Sequence, residues 1–199
     1  FHSHKNMTTL GEGGMLVVRD PEWAQIVPML RHNGHRPYPI DRPDYWIPAM
    51  TDVTLPRLKG KALWPINCCL GEVSCALGTQ LLDRVDEMNA QRRARALVVI
   101  DALADCPELV FHREASLRHS YYLLAARVQE GLRDRFIRRM AEHHGIQCVV
   151  QYYPLNRYPL YRDLGFGEAV VPNTDAFFDN MVSLPFSHLL TDEQINNMI

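Results

Sequence analysis

The spacing of apolar residues predicts two helices in the first half of the chain. The first opens at Pro21 and closes at Gly34, with its apolar side chains on one face: Trp23, Ile26, Val27 and Leu30. The second runs from residue 71 to about residue 104 and carries one apolar stripe: Val73, Leu77, Leu81, Val85 and Met88. Because this second stretch is long, we expect one helix that joins two domains.

Patterns of extended and helical segments alternate in the rest of the chain. Residues 15–18 predict a short buried strand, and residues 121–128 and 146–153 predict two more strands with a helix between them, which Gly145 would end. The tail predicts a helix over residues 174–180, a strand over residues 181–184, and a last helix from Thr191, where Thr191 and Gln194 have the spacing of a capping box. The second half therefore has the pattern of a small α+β domain.

Residues 35–65 interrupt this regular pattern. Prolines exclude a long helix there, and aromatic residues add apolar surface: Pro37, Pro39, Pro43, Pro48, Pro56, Pro65, Tyr38, Tyr45, Trp46 and Trp64. Loops of this length inside compact proteins are often functional. We therefore expect a long ordered loop.

Composition excludes several classes of function. With 199 residues, 47% of them hydrophobic, and a formal charge of -2, the chain is typical of a soluble globular protein without a basic stripe for nucleic acid or membranes. Charges interrupt every apolar stretch well before it could cross a bilayer.

An odd number of cysteines, without paired Cys-x-x-Cys units, favours a reducing cytoplasm: Cys68, Cys69, Cys75, Cys106 and Cys148. His2 and His4, like His143 and His144, lack further ligands at a zinc-like spacing, so we expect no metal.

Residues 1–14 carry the strongest candidate chemistry. There Lys5 stands between a histidine-rich turn and a cluster of glycines. A lysine amine becomes a nucleophile when its surroundings lower its pKa, and it then commonly forms a Schiff base with a carbonyl substrate or with pyridoxal phosphate. Taken alone, however, a lysine near glycines is more often a solvated loop residue.

This segment resembles the lysine signature of the DegT/DnrJ/EryC1/StrS aminotransferases, Ser-Phe-His-x-x-Lys-x-x-Thr-Thr-Gly-Glu-Gly-Gly. Leu10 is one residue more than the commonest form of that pattern, and the serine would precede Phe1. The resemblance implies that Lys5 holds pyridoxal 5'-phosphate as a Schiff base.

Later segments extend the resemblance in the same order. Residues 31–34 are similar to the family's Arg-x-His-Gly, residues 65–72 to Gly-x-Asn-Tyr-Arg-Met-x-Glu, residues 150–156 to Val-His-Tyr-x-Pro-Leu-His, and residues 161–166 and 183–194 to its closing segments. By position, Asn67 would reach across a dimer interface to the cofactor phosphate of the neighbouring subunit, and an amide donor makes a strong hydrogen bond to a phosphate. Tyr152 and Asn156 would lie on the substrate side.

Several residues depart from the family pattern. Cys68 and Cys69 replace its tyrosine and arginine, and Asn156 replaces its histidine. The change at Cys69 removes a permanent cation, so substrate recognition could be atypical. The cysteine pair could be redox-active, although a small buried apolar role is favoured because adjacent cysteines close a disulfide only with strain. For Tyr152 and Asn156, a structural role and a substrate contact both stay open.

The resemblance implies a fold class that is α/β and α+β, the C-terminal part of the fold-type I pyridoxal-phosphate transferase fold. Residues 1–70 would end the large cofactor-binding domain, residues 71–105 would form the long linking helix, and residues 106–199 would form a truncated small α+β domain. The implied assembly is a homodimer with its active site at the subunit interface. The acid that pairs with the pyridinium nitrogen would lie upstream, so this stretch alone should be inactive.

The implied activity is transfer of an amino group from glutamate or glutamine to a keto sugar, which in this family is most often nucleotide-linked, or to a keto cyclitol. One alternative is the family's sugar dehydratase branch, whose members carry histidine in place of the lysine, so Lys5 argues against it. The other is a non-catalytic homologue that keeps the dimeric scaffold for binding or regulation. The changes at Cys69 and Asn156 motivate that second alternative.

Overall fold

A computed structural model describes residues 1–35, 48–113 and 119–199, and the chain divides into two compact units, Phe1–Leu82 and Asp83–Ile199. The part of the proline-rich loop that contains Pro37, Tyr38, Pro39, Pro43, Tyr45 and Trp46 lies outside the described residues.

The first unit combines two helices with a β-hairpin. Its elements are α1 (Pro21–Arg31), β1 (Val53–Leu55), β2 (Lys61–Leu63) and α2 (Glu72–Leu82). The strands are antiparallel, and a 3-10 turn at Pro56–Leu58 connects them. Residues 53–63 therefore form a hairpin rather than the continuous loop that the prolines suggested. Buried Ile26 of α1 packs with Val53 and Leu55 of β1 in a small core.

Helix α1 confirms the prediction over residues 21–34. The Asp20 carboxylate accepts hydrogen bonds from the backbone N–H groups of Glu22 and Trp23, at 3.0 and 3.2 Å, and Pro21 occupies the first turn. Beyond the helix, Gly34 has a φ of 72° and its N–H donates to the Met29 carbonyl at 2.8 Å. A glycine in the left-handed region therefore ends the helix, as the sequence indicated.

The strand predicted over residues 15–18 is absent. Met15, Leu16 and Val17 are each more than 70% exposed, and their backbone pairs with no strand among the described residues. An apolar run becomes a buried strand only where a neighbouring strand satisfies its backbone groups and another layer covers its side chains. The described part of this chain supplies neither, so the prediction is wrong for this structure.

The second unit is an α+β arrangement. It contains α3 (Val85–Ala102), β3 (Leu109–Phe111), β4 (Leu124–Val128), α4 (Arg133–His144), α5 (Pro159–Tyr161), α6 (Pro172–Asn180), β5 (Met181–Leu184) and α7 (Asp192–Met198). The three strands form an antiparallel sheet in the order β3-β4-β5, and helices α3, α4 and α7 cover its core. Among its most buried side chains are Ala96, Val99, Leu124 and Val182. The capping box at Thr191 and the left-handed Gly145 at the end of α4 confirm two predicted helix boundaries.

Two predictions for this region are wrong. The long helix is two helices, because α2 ends at Leu82 and α3 begins at Val85. The two helices also differ in burial: α2 has no buried residue, whereas α3 buries one face that contains Met88, Ala96 and Val99. Residues 146–153 make only an isolated bridge, in which Val149 and Ser183 exchange hydrogen bonds of 3.0 and 2.7 Å. The short strand β3 had no signal in the sequence pattern.

Candidate functional site

Lys5 lies on a short turn that backbone hydrogen bonds close. The Ser3 N–H donates to the Gly11 carbonyl at 2.8 Å, and the Thr9 N–H donates to the Phe1 carbonyl at 3.0 Å. Within the turn, the Lys5 N–H donates to the His2 carbonyl at 2.8 Å. The Lys5 side chain is exposed. The main chain at Lys5 is therefore held in place, and any desolvation of its amine has to come from outside this turn.

Thr9 anchors the turn to the rest of the first unit. Its side chain is 2% exposed, and its Oγ1 donates to the Glu12 carbonyl at 3.1 Å. Two glycines leave the room for it: a Cβ at Gly13 would lie 2.8 Å from Thr9 Oγ1, and one at Gly78 would lie 3.2 Å from Thr9 Cγ2. Gly78 belongs to α2, so close packing on that helix fixes the turn. Nothing in the local sequence pattern distinguishes Thr9 from the neighbouring Thr8.

The extra residue relative to the family signature is placed at the surface. Leu10 is 74% exposed and has a φ of 69°, in the left-handed region that most side chains avoid. It precedes Gly11, whose carbonyl closes the turn. The turn thus accommodates the additional residue by a local backbone adjustment that leaves the closing hydrogen bonds intact.

Asn67 lies on an extended strap beside the end of α1. The Ile66 N–H donates to the Leu30 carbonyl at 3.1 Å, and the Cys68 N–H donates to the Arg31 carbonyl at 2.7 Å. The Asn67 side chain is exposed, and its Oδ1 accepts a hydrogen bond from the Cys69 N–H at 3.0 Å. Since that bond engages the amide oxygen, the Nδ2 group is left to donate to another molecule or chain.

The cysteine pair is exposed in this chain, so the predicted buried apolar role is wrong here. The reason is the strap itself, which turns both Cys68 and Cys69 outward at the end of α1. Arg31 Nη1 donates to Cys69 Sγ at 3.3 Å, and that thiol in turn contacts the Arg31 carbonyl at 3.6 Å. A guanidinium therefore lies beside the position at which the family pattern carries an arginine.

Tyr152 and Asn156 lie in the second unit. The Tyr152 ring is 63% exposed. Asn156 belongs to a 3-10 turn, Leu155–Arg157, and its Nδ2 donates to the Ala169 carbonyl at 3.2 Å. The amide nitrogen of Asn156 thus ties two loops together, which is a structural role, while its Oδ1 is left as an acceptor.

The four predicted site residues are therefore divided between the units, with Lys5 and Asn67 in the first and Tyr152 and Asn156 in the second. The first unit offers an amine at Lys5 that can condense with an aldehyde and an amide at Asn67 that can donate to a phosphate. Three residues after the lysine in the chain, Thr8 Oγ1 is buried and has no hydrogen-bond partner among the described residues. Buried hydroxyls are normally satisfied, so this hydroxyl is available to a group from outside that part of the chain.

Neither a metal site nor a helix that could span a membrane occurs among the described residues. Within residues 1–35, 48–113 and 119–199, no three His, Cys, Asp or Glu side chains come together as metal ligands. No helix in the same ranges is both long enough and apolar enough to span a bilayer. A cavity of about 470 Å³ lies in the second unit, among Leu109, Phe136, Met140 and Met198, but none of the four predicted site residues lines it.

Comparison with known proteins gives one family. The model of the DegT/DnrJ/EryC1/StrS aminotransferase family matches residues 1–199. One curated relative, the L-glutamine:2-deoxy-scyllo-inosose aminotransferase of Streptomyces paromomycinus, is 31% identical over 133 residues, which are 64% of this chain and 28% of that protein. The chain spans about half the length of other curated relatives that it matches along its whole length.

Solved structures share the fold. The aminotransferase from Psychrobacter cryohalolentis covers the whole chain with a TM-score of 0.82 at 23% identity, and the chain covers 52% of it. The PLP-form of the putative sugar aminotransferase Spr1654 from Streptococcus pneumoniae has a TM-score of 0.74 at 23% identity, over 98% of this chain and 47% of that structure. At these identities the likeness shows the fold, and it confirms the predicted fold class.

Proposed function

Because this chain belongs to the DegT/DnrJ/EryC1/StrS aminotransferase family, we propose that it is part of a pyridoxal-phosphate enzyme that transfers an amino group from glutamate or glutamine to a keto sugar or keto cyclitol. The observation that carries the proposal is the Lys5 amine, presented by a closed turn in the segment that matches the family's lysine signature. Relatives support the same chemistry, since one is named as a glutamine-dependent cyclitol aminotransferase and one structure is a PLP-form.

Lys5 has two tasks in this proposal. Its amine would hold the cofactor through the aldehyde carbon, and its Nζ would carry a proton at the α-carbon of the amino donor. When bound, the cofactor supplies an electron sink for the charge that develops on that carbon. The amine must be unprotonated to act, so the whole protein has to cover the side chain that is exposed here.

Asn67 contributes to the site of a second subunit. We assign its Nδ2 to the cofactor phosphate held by the partner, because its Oδ1 is already engaged by the Cys69 N–H. The strap beside α1 fixes the backbone on both sides of Asn67, so the amide is oriented before a phosphate binds. This assignment requires a homodimer with the site at the subunit interface.

A non-catalytic scaffold is the second candidate. It is favoured by the hydrogen bond from Asn156 to the Ala169 carbonyl, which gives this residue a structural explanation without any substrate. It differs from the enzyme in one measurable property: a scaffold that needs no cofactor binds none at Lys5. A sugar dehydratase is disfavoured by Lys5 itself and would release water rather than form an amine.

The test uses the whole protein, expressed with pyridoxal phosphate. The wild type should show a visible absorbance band that L-glutamine or L-glutamate bleaches, and Lys5→Ala should lose both the band and turnover, with a rate loss of about 10²–10⁴-fold, as for removal of a general acid–base group. The acceptor probe is 2-deoxy-scyllo-inosose, and mass spectrometry of the product separates amination from dehydration.

Lys61→Ala is the matched control, since Lys61 is another exposed lysine of the first unit, on β2. It should keep the band and the rate of the wild type. A colourless wild-type protein that binds no pyridoxal phosphate would rule out the enzyme and leave the scaffold.

A further inference from the structure

An arginine next to Asn156 clasps two carboxylates on the neighbouring helix. Arg157 Nε donates to Asp175 Oδ1 at 2.9 Å, and its Nη1 donates to Asp179 Oδ1 at 2.8 Å. The two aspartates are four residues apart on α6, so they share one face of that helix and present both carboxylates to a single guanidinium. We call this arrangement, formed by Arg157, Asp175 and Asp179, the arginine clasp.

An aromatic ring supports the clasp from the same helix. The Arg157 guanidinium carbon lies 5.2 Å from the centre of the Phe178 ring, within the range of a cation–π contact. Tyr153 meets the same ring edge-on, with 5.4 Å between ring centres. Arg133 also lies over the Phe178 ring, at 5.5 Å, and its Nη1 donates to the Phe178 carbonyl at 2.6 Å.

Charge favours the closed clasp at neutral pH. The hydrogen bonds that Arg157 donates to Asp179 and then to Asp175 hold the pKa of Arg157 above its ordinary range, and the bond from Arg157 lowers the pKa of Asp179. Arg157 and Asp179 therefore both carry their charges at neutral pH. A bidentate or forked contact of this kind fixes orientation as well as distance, which a lysine at the same position could not do.

The clasp holds one end of the segment that carries both substrate-side candidates. Arg157 is the last residue of the 3-10 turn, and its N–H donates to the Pro154 carbonyl at 3.0 Å. Within that turn Asn156 bonds the Ala169 carbonyl, so the segment is tied at two points. Tyr152 lies just before the turn with its ring exposed.

We propose that Arg157 is a positioning residue for acceptor binding: by clasping α6 it fixes the turn at Leu155–Arg157 and so holds Tyr152 and Asn156 where a keto sugar or keto cyclitol would meet them. This inference rests on the proposed function, because it gives a role to the acceptor side of that reaction. It predicts that the clasp affects the acceptor half of the reaction and leaves the donor half unchanged.

The experiment compares Arg157→Gln with Arg133→Gln in the whole enzyme loaded with cofactor. Both substitutions remove a guanidinium from the face of Phe178, but only the first releases the turn. Hydrogen–deuterium exchange of peptides covering residues 152–158 should rise at least about tenfold in Arg157→Gln and stay near the wild-type rate in Arg133→Gln, because a released turn opens locally.

Kinetics separate positioning from a general structural effect. With L-glutamine as donor and 2-deoxy-scyllo-inosose as acceptor probe, kcat/KM for the acceptor should fall about 10–100-fold in Arg157→Gln, a loss typical of misplaced substrate contacts, while kcat/KM for the donor stays within about twofold. Asp179→Asn should also lower kcat/KM for the acceptor, but by less, since Asp175 still holds the guanidinium.

Three results would overturn the inference: unchanged exchange in Arg157→Gln, equal loss of acceptor kcat/KM in both arginine variants, or equal loss for donor and acceptor. A wild type that lacks the cofactor band would instead refute the proposed function, and it would do so before any variant is compared. If the wild type has the band but does not turn over the probe, this cyclitol is not its acceptor, and the exchange comparison still decides whether the clasp orders the turn.

Discussion

His188 is held neutral by its surroundings in the second unit. Its Nδ1 lies 3.5 Å from Arg92 Nη2, and because a guanidinium only donates, the imidazole nitrogen must accept. Burial, followed by the charges of Arg92, Arg84 and Arg95, lowers the pKa of His188 from its ordinary value. Arg92 is itself 6% exposed and lies over the Phe186 ring at 5.9 Å. Protonation of His188 would therefore place another positive charge in this cluster.

This arrangement predicts a stability loss in weak acid. Because the folded-state pKa of His188 is lower than the unfolded value of about 6.5, the unfolded chain binds this proton first as the pH falls. The contribution of His188 is therefore unchanged above about pH 6.5 and becomes destabilising between that pH and the lower folded-state pKa. Urea unfolding of the whole protein across this window should show less loss in His188→Gln than in the wild type.

His143→Gln is the control, since His143 is exposed in the last turn of α4. It should keep the pH dependence of the wild type. If both variants track the wild type, the neutral assignment of His188 is incorrect.

The sequence points to candidate residues that a local motif marks, and it misses residues defined by distant contacts. Lys5 is a candidate because its neighbours in the chain form a recognisable signature. Thr9 and Arg157 are not found, because the first is distinguished by a glycine on α2 and the second by two carboxylates on α6. The sequence predicts a buried role for Cys69 because its exposure also depends on a distant contact, the one between the strap and the end of α1.

Among the elements, those bounded by caps were predicted best. The start of helix α1, the end of α4 and the cap of α7 occur at the expected residues, since Pro21, Gly145 and Thr191 act through backbone chemistry within one turn. Strand β5 also has its expected bounds. Strands were predicted poorly where their formation depends on pairing with another strand. Residues 15–18 and 146–153 have extended apolar patterns, but a pattern does not reveal whether a partner strand is present.

At Gly34, the backbone that follows α1 lies in close contact with the segment before β1. A Cβ at this position would lie 1.8 Å from the Thr51 carbonyl oxygen, and Gly34 also has a φ of 72°. The segment before β1 therefore passes directly against the end of α1. Gly60, in the β1–β2 hairpin, has a similar φ of 70° but open space around its Cα.

These two glycines give a matched prediction about stability. Gly60→Ala should cost roughly 1–2 kcal/mol of unfolding free energy, from the left-handed backbone alone. Gly34→Ala should cost more than about 3 kcal/mol, because the same strain is joined by a clash with backbone that cannot move away cheaply. Urea unfolding of the whole protein measures both. Equal losses would mean that the contact between Gly34 and Thr51 does not constrain the fold.

At the scale of the whole molecule, the exposed apolar side chains determine whether the chain stays monomeric. Large apolar side chains more than 70% exposed occur in both units: Leu10, Met15, Leu16, Val17, Trp64, Val73, Val170 and Leu189. Contiguous exposed apolar surface is unusual on a protein that stays monomeric. Three of these residues, Met15 to Val17, belong to the segment whose strand prediction failed.

We expect the 199-residue chain to self-associate. Sedimentation over a range of protein concentrations should show association, and a dye for apolar surface should bind strongly. Replacement of Leu16 and Val17 by glutamine should reduce both signals, whereas replacement of the buried pair Val99 and Val182 by glutamine should unfold the second unit. A stable monomer that binds little dye would contradict this expectation.

The family and the fold class were predictable from sequence because the matching segments occur in order along the whole chain. The domain boundary was harder to predict, since the helical pattern of residues 71–104 conceals the break between α2 and α3. Neither the acceptor nor its contacts follow from the pattern, because they depend on how loops such as Leu155–Arg157 are tied to other elements.

The closed turn around Lys5 sets a limit on how far its Nζ can travel. With the Cα held by bonds at Ser3 and Thr9, all of its range comes from rotations within a flexible four-carbon stem. For the function that we propose, the cofactor and the amino donor must therefore be delivered to nearly the same point in space.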